Sequence, residues 1–306
     1  MRARDADVEG VVEVDGVEIA YEVYGDGPVT ILLMPTWTII HKRFWKGQVP
    51  YLSRHFRVVV YDGPGNGGSV RAVDPAAYGV DRQVQYGLAV LDASATERAV
   101  VVGLSLGGSW AAQLAAEHGE RVLGTILIAP SVPTAAGHPE RAVEGDTSTM
   151  PPSRVRLLGR DPIAHWPMFD PDYWQAHFED FLWFFFGMCF PEPRSSKQIE
   201  DCVGWGLETT PEVLAAEAID SWPDTDRAVA WFGAIATPVL TIHGDSDMIS
   251  PLRRSERIAE LTGGELVVIE GGGHIPMARD PVKINQLIRD FARCVAPQPC
   301  AQRRSA

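Results

Sequence analysis

The sequence predicts an α/β protein: a mostly parallel, open eight-stranded sheet flanked by helices, with a helical insertion carried as a lid. Three observations predict it. Short continuous apolar runs alternate along the chain with helical patterns, the order expected of strands joined by crossover helices. Those runs lack the in-out alternation of a half-solvated strand, so both their faces are expected to be buried. The alternation also breaks once, over about residues 132–226, where Pro, Trp and Phe accumulate without a convincing strand.

The elements follow in order. Alternating apolar residues in Val11–Val14 and Val17–Tyr21 flank Asp15-Gly16, a dipeptide suited to a two-residue hairpin turn. Six apolar runs then supply the remaining strands: Ile31–Met34, Val58–Tyr61, Ala99–Val102, Ile126–Ala129, Val239–Ile242 and Leu266–Ile269. Helical patterns span Trp45–Arg54, Tyr78–Ala93, Leu106–His118, Pro251–Leu261 and Pro281–Val295. The insertion is entered through Pro130-Ser131-Val132-Pro133 and holds five of the nine tryptophans, Trp166, Trp174, Trp183, Trp205 and Trp222. The expected division is a core at 11–131 and 227–296, a helical lid at 132–226, and flexible tails at 1–10 and 297–306.

A chain of 306 residues with 45% hydrophobic and 22% charged residues suits a soluble globular protein. Its net charge of -13, without a basic stripe, argues against nucleic-acid binding. No run is long enough to span a bilayer and the first residues lack an apolar signal core, so a cytoplasmic location is expected. Cys189, Cys202, Cys294 and Cys300 form no close C-x-x-C pair, which weakens zinc and redox readings. Cys294 and Cys300 are read as free thiols, with a bridge between them as the alternative in an oxidising compartment.

The chemistry concentrates where Ala99–Val102 runs into Gly103-Leu104-Ser105-Leu106-Gly107. Glycines on either side of Ser105 permit a sharp strand-to-helix turn that pushes the hydroxyl outward. The free N–H groups of a helix starting at Leu106 face the same point. A serine hydroxyl needs a base, and Gly271-Gly272-Gly273-His274 follows the last apolar run, which places His274 at the same sheet edge. The imidazole in turn needs an acid to fix its tautomer. His243-Gly244-Asp245-Ser246-Asp247 offers two. Asp247 is preferred because it lies further past the strand end, and Asp245 is read as capping the turn at Gly244. The six large apolar residues from Phe181 to Phe186 read as a buried lid helix that also roofs an apolar pocket, with Trp183, Phe184 and Phe185 as lining candidates.

Serine elbow, acid and histidine in this chain order, with a lid after the sixth strand, resemble the α/β-hydrolase fold over about residues 15–296. Asp62-Gly63-Pro64-Gly65-Asn66-Gly67-Gly68-Ser69 is similar to that fold's D-x-R-G-x-G-x-S loop, with Pro64 where arginine is usual. The resemblance implies a second oxyanion donor after the third strand, usually on a His-Gly segment. Here that segment reads Pro35-Thr36-Trp37-Thr38, and Pro35 cannot donate. Trp37 is the preferred donor beside Leu106, Thr36 is its alternative, and both residues would line the pocket. The implied activity is acyl transfer to water through a Ser105–His274–Asp247 triad. The implied substrate is a small to medium hydrophobic ester, thioester or lactone, and neither metal nor organic cofactor is required. A C–C bond hydrolase, an acyltransferase and a ligand receptor remain as alternatives. A peptidase would need an acidic anchor for the substrate amine; Glu208 and Glu217 lie in the lid, but nothing in the sequence singles them out.

Overall fold

Asp15 and Gly16 both sit at positive φ, 49° and 83°, as a two-residue hairpin turn with the twist of its strands requires. They join β1 (Val8–Val14) to β2 (Val17–Tyr24) with Val14 paired to Val17. The computed structural model describes residues 4–137, 168–219 and 222–296. Among these, β3 (Thr30–Leu33), β4 (Arg57–Tyr61), β5 (Ala99–Leu104), β6 (Val122–Ile128), β7 (Val239–Gly244) and β8 (Glu265–Ile269) complete one eight-stranded sheet. Its order is β1-β2-β4-β3-β5-β6-β7-β8, antiparallel at the hairpin end and parallel from β4 onward.

The helices are α1 (Val49–Leu52), α2 (Val80–Ala93), α3 (Leu106–Glu117), α4 (Pro171–Cys189), α5 (Ser196–Gly206), α6 (Pro211–Glu217), α7 (Thr225–Ala234), α8 (Leu252–Thr262), α9 (Pro276–Arg279) and α10 (Pro281–Cys294). Helix α4 packs on α5 and α6, between β6 and β7 in the chain, whereas α7 packs on α3 and α8 beside the sheet.

The continuous apolar runs have a simple cause. Ile31, Leu33, Val58, Val60, Val100 and Val102 belong to the core on one side of the sheet, and Leu32, Met34, Val59, Tyr61 and Val101 to the core on the other. Successive strand residues point to opposite faces, and here both faces are covered. Full burial of one such aliphatic side chain contributes roughly 1.5–3 kcal/mol. That matters at the end of β5, where Ser105 takes φ 53° and ψ -119°, a conformation costing about 1–3 kcal/mol in a residue with a Cβ. One buried valine of β5 offsets it.

Two expectations need correction. Val8–Gly10, read as part of a flexible leader, pair with Tyr21–Val23 in β1, because β2 runs longer than its alternating stretch suggested. Trp45–Arg54 is not one helix: a 3-10 turn over Lys42–Trp45 precedes the single-turn α1. Pro50 has no N–H to give and its ring would clash with the Lys46 carbonyl in a continuous helix. Helix α4 also breaks internally at His177, with φ -139° and ψ 41°. Trp166, Cys300 with any bridge it would make, and the carboxy-terminal tail at 297–306 lie outside the described residues. Among the described residues no helix is long and apolar enough to cross a membrane.

Candidate active site

Three loops at the carboxyl ends of β5, β7 and β8 converge. Ser105 leaves β5, and the glycines around it permit the close approach: a Cβ on Gly103 would run into the Gly107 carbonyl, and one on Gly107 into the Pro35 carbonyl oxygen. The Ser105 backbone is held in the turn, its carbonyl accepting from Ser131 N–H at 3.0 Å and its own N–H donating to the Ile128 carbonyl at 2.9 Å.

His274 lies within 2.8 Å of Ser105 Oγ through Nε2 and within 2.8 Å of Asp247 Oδ2 through Nδ1. An ionised carboxylate only accepts, so Nδ1 carries the proton and Nε2 is left to receive the Ser105 hydroxyl hydrogen. Ser131 Oγ, 3.1 Å from Ser105 Oγ, is a longer alternative acceptor for that same hydrogen. The histidine loop is pinned from the β6–β7 insertion: His274 N–H donates to the Cys189 carbonyl at 2.9 Å, and Gly273 N–H to Glu192 Oε1 at 2.7 Å. Gly273 is required there, since a Cβ would strike Pro191.

Asp247 is buried and richly supplied with donors. Its Oδ1 accepts from the N–H groups of Ile249 (2.7 Å) and Ser250 (3.0 Å). Its Oδ2 faces His274 and, at 3.1 Å, the Nε2 of a second buried histidine, His243. His243 Nε2 is also 2.8 Å from the Ser250 carbonyl, which can only accept, so that nitrogen is protonated; Nδ1 meets Ser255 Oγ at 2.6 Å. Burial pushes the Asp247 carboxyl up, but the two imidazoles pull harder and hold it well below the usual carboxylate range. Asp245 has a different post. It is exposed, and its Oδ1 accepts from Gly271 N–H at 2.7 Å, tying the β7 loop to the histidine loop rather than capping Gly244.

The N–H of Leu106 opens α3 beside Ser105, and among the described residues neither it nor the Trp37 N–H has an acceptor. The Trp37 ring packs against the insertion: its centroid is 5.1 Å from Phe185, 5.5 Å from Phe169, 5.8 Å from Trp174 and 6.1 Å from Phe181. Thr36 is buried beside it. Phe181 and Phe185, four residues apart, share a helix face toward Trp37, and Phe184 is buried next to them. Trp183 lies round the helix from that face, its indole N–H 3.4 Å from Glu179 Oε1, and the structure does not bring it to the Trp37 ring.

Of the polar residues His243, Asp62 and Glu208 around the site, His243 alone had no role in the sequence reading, whereas Asp62 and Glu208 take places the sequence left open. His243 had a usable signal, a histidine closing a buried strand four residues before the preferred acid. Asp62 is buried and accepts from Lys42 N–H (2.7 Å), Lys42 Nζ (2.6 Å) and Gly68 N–H (2.8 Å), which holds the glycine-rich loop in shape. Glu208, one of the two lid acids, lies 41% exposed near His41 and Arg43.

The alpha/beta hydrolase fold family matches residues 29–281. A Caulobacter segnis protein bearing the name of a carbamate hydrolase, RutD, is 35% identical over 296 residues, 91% of this chain and 97% of that protein. The 2-hydroxymuconate semialdehyde hydrolase of a Pseudomonas species is 28% identical over 259 residues, 81% of this chain and 80% of its own. A thermophilic esterase from Thermogutta terrifontis superposes with a TM-score of 0.73 at 23% identity, over 95% of this chain and 99% of that one. At that identity the likeness is one of fold.

Proposed function

The chain belongs to the alpha/beta hydrolase fold family and is an enzyme of that type; from this premise we propose that it is a serine hydrolase using Ser105, His274 and Asp247. One observation carries the reading: the continuous hydrogen-bonded chain from the Ser105 hydroxyl through His274 to a buried, ionised Asp247. In the proposed cycle Ser105 Oγ attacks the substrate carbonyl as His274 Nε2 takes its proton. His274 then delivers that proton to the leaving group, which departs as the acyl-enzyme forms. Water, activated by the same imidazole, releases the acid and restores Ser105. The N–H groups of Leu106 and Trp37 are proposed to hold the oxyanion, each worth about 3 kcal/mol of barrier lowering.

We read residues 132–226 as the lid over a core at 8–131 and 227–296, its first bound moved from 11 to take in all of β1. The aromatic packing of Trp37 with Phe169, Trp174, Phe181 and Phe185 supports an apolar acyl or aryl group, so the substrate is a small to medium hydrophobic ester, thioester or lactone. A carbamate is the second reading, favoured by the name of the relative at 35% identity; its carbonyl carbon meets the same attack, with an amine or an alkoxide leaving. The test is a panel of nitrophenyl esters of graded acyl length, aryl lactones, aryl carbamates and a vinylogous 1,5-diketone, each run against a Ser105→Ala blank. Turnover is expected on short to medium esters or lactones. Exclusive carbamate turnover would move the assignment to the second reading, and exclusive C–C cleavage would overturn both.

A further inference from the structure

Glu217, the last residue of α6, is fully buried, and the proton path does not use it. Its Oε2 accepts from the Thr38 backbone N–H at 3.0 Å and is also hydrogen-bonded to the Thr38 hydroxyl. The Thr38 carbonyl accepts from Asn66 Nδ2 at 2.8 Å, and that amide also donates to the Trp205 carbonyl at 3.2 Å. Beside it the Thr209 hydroxyl donates to the Gly65 carbonyl at 2.6 Å. Every polar group of Thr38 is thus engaged, two by α6 and one by the loop after β4. Thr38 directly follows Trp37, and the other end of this short loop is wedged where the Pro35 carbonyl oxygen meets Gly107.

A buried carboxyl is an expensive way to hold a loop, and Glu217 Oε1 has no partner among the described residues. Burial pushes the Glu217 carboxyl up to about 8, against the pull of its two bonds from Thr38, so a large part of it is uncharged acid in neutral solution and glutamine is its close mimic. We propose that Glu217 is a positioning residue: by gripping Thr38 it sets the Trp37 peptide as an oxyanion donor, so that the site is complete only while α6 is seated against this loop. The proposal rests on Trp37 being that donor, as read under Proposed function.

The test uses the full chain with a nitrophenyl ester, a trifluoromethyl ketone inhibitor whose hemiketal oxygen needs the same donors, and thermal melts. Glu217→Ala is expected to lower kcat by about 10- to 100-fold with KM within about 3-fold, and to weaken the inhibitor by a similar factor. Glu217→Gln, which keeps an oxygen for Thr38, is expected to recover kcat to within about 3-fold of wild type. Thr38→Val is expected to lose part of the same activity, and combining it with Glu217→Ala to cost no more than Glu217→Ala alone. A folded Glu217→Ala with unchanged kcat and inhibition overturns the proposal, as do losses that multiply in the double variant or a glutamine no better than alanine. Should Glu217→Ala fail to fold, Thr38→Val decides: unchanged kcat and inhibitor affinity overturn the proposal, and a fall in both at constant KM supports it. Ser105→Ala runs in parallel. If it keeps turnover, the functional reading itself fails; if it is dead while the Glu217 variants are normal, only the positioning role does.

Discussion

Ser105→Ala is expected to lower kcat on a short-chain nitrophenyl ester by about 10⁴- to 10⁶-fold while leaving the fold intact. The size of the loss follows from what the hydroxyl does. It is the group in the Ser105–His274–Asp247 chain able to form an ester with the acyl carbon, and His274 Nε2, 2.8 Å away, is positioned to take its proton. The fold should survive because the strained backbone at φ 53° already carries a Cβ, so alanine meets the same conformational cost as serine. The Ser105 turn is held by backbone bonds to Ile128 and Ser131, which the substitution does not touch. Steady-state kinetics with circular dichroism of the same preparation checks both halves. A folded variant with more than a tenth of wild-type activity would rule out Ser105 as the nucleophile.

Asp247→Asn should cost about 10⁴-fold in kcat, and Asp245→Asn only a few-fold. Both carboxylate oxygens of Asp247 are committed to donors: Oδ1 to Ile249 and Ser250 N–H, Oδ2 to His274 and His243. An amide must turn its NH₂ toward one of these pairs. Facing His274 it makes Nδ1 an acceptor, moves the ring proton to Nε2 and removes the base that Ser105 needs. Facing the backbone it sets donor against donor, and the loop carrying the residue must shift. Asp245 is exposed and serves one N–H, that of Gly271, which an asparagine oxygen serves as well. If the two variants show the reverse order, Asp245 takes the acid's role.

Much of the fold was legible because burial on both sheet faces leaves a direct mark, the continuous apolar run. The Ile31–Met34 and Ala99–Val102 runs fall within one residue of their strands or inside them. Where local signals competed, the reading failed. Pro50 broke a helix that the apolar spacing of Trp45–Arg54 had suggested, and the break was itself visible in the sequence. The helix period also carried more than was used: Phe181 and Phe185 share a face four residues apart, whereas Trp183 lies about 200° round from Phe181. Most of the polar support of the site was not legible. Glu217 meets Thr38 across 179 residues, and nothing local to α6 distinguishes it from a solvated acid. His243 stands between these cases, since its position at a strand end was plain but its sharing of Asp247 depended on how the next seven residues turn back.

Active-site labelling tests the central claim most directly. A fluorophosphonate probe is incubated with native protein, the adduct is mapped by peptide mass spectrometry, and the rate is compared with that of His274→Ala. The account predicts a single adduct on Ser105, formed at least about 100-fold more slowly without the imidazole. An adduct on another residue, or labelling of Ser105 at an undiminished rate in His274→Ala, would contradict it.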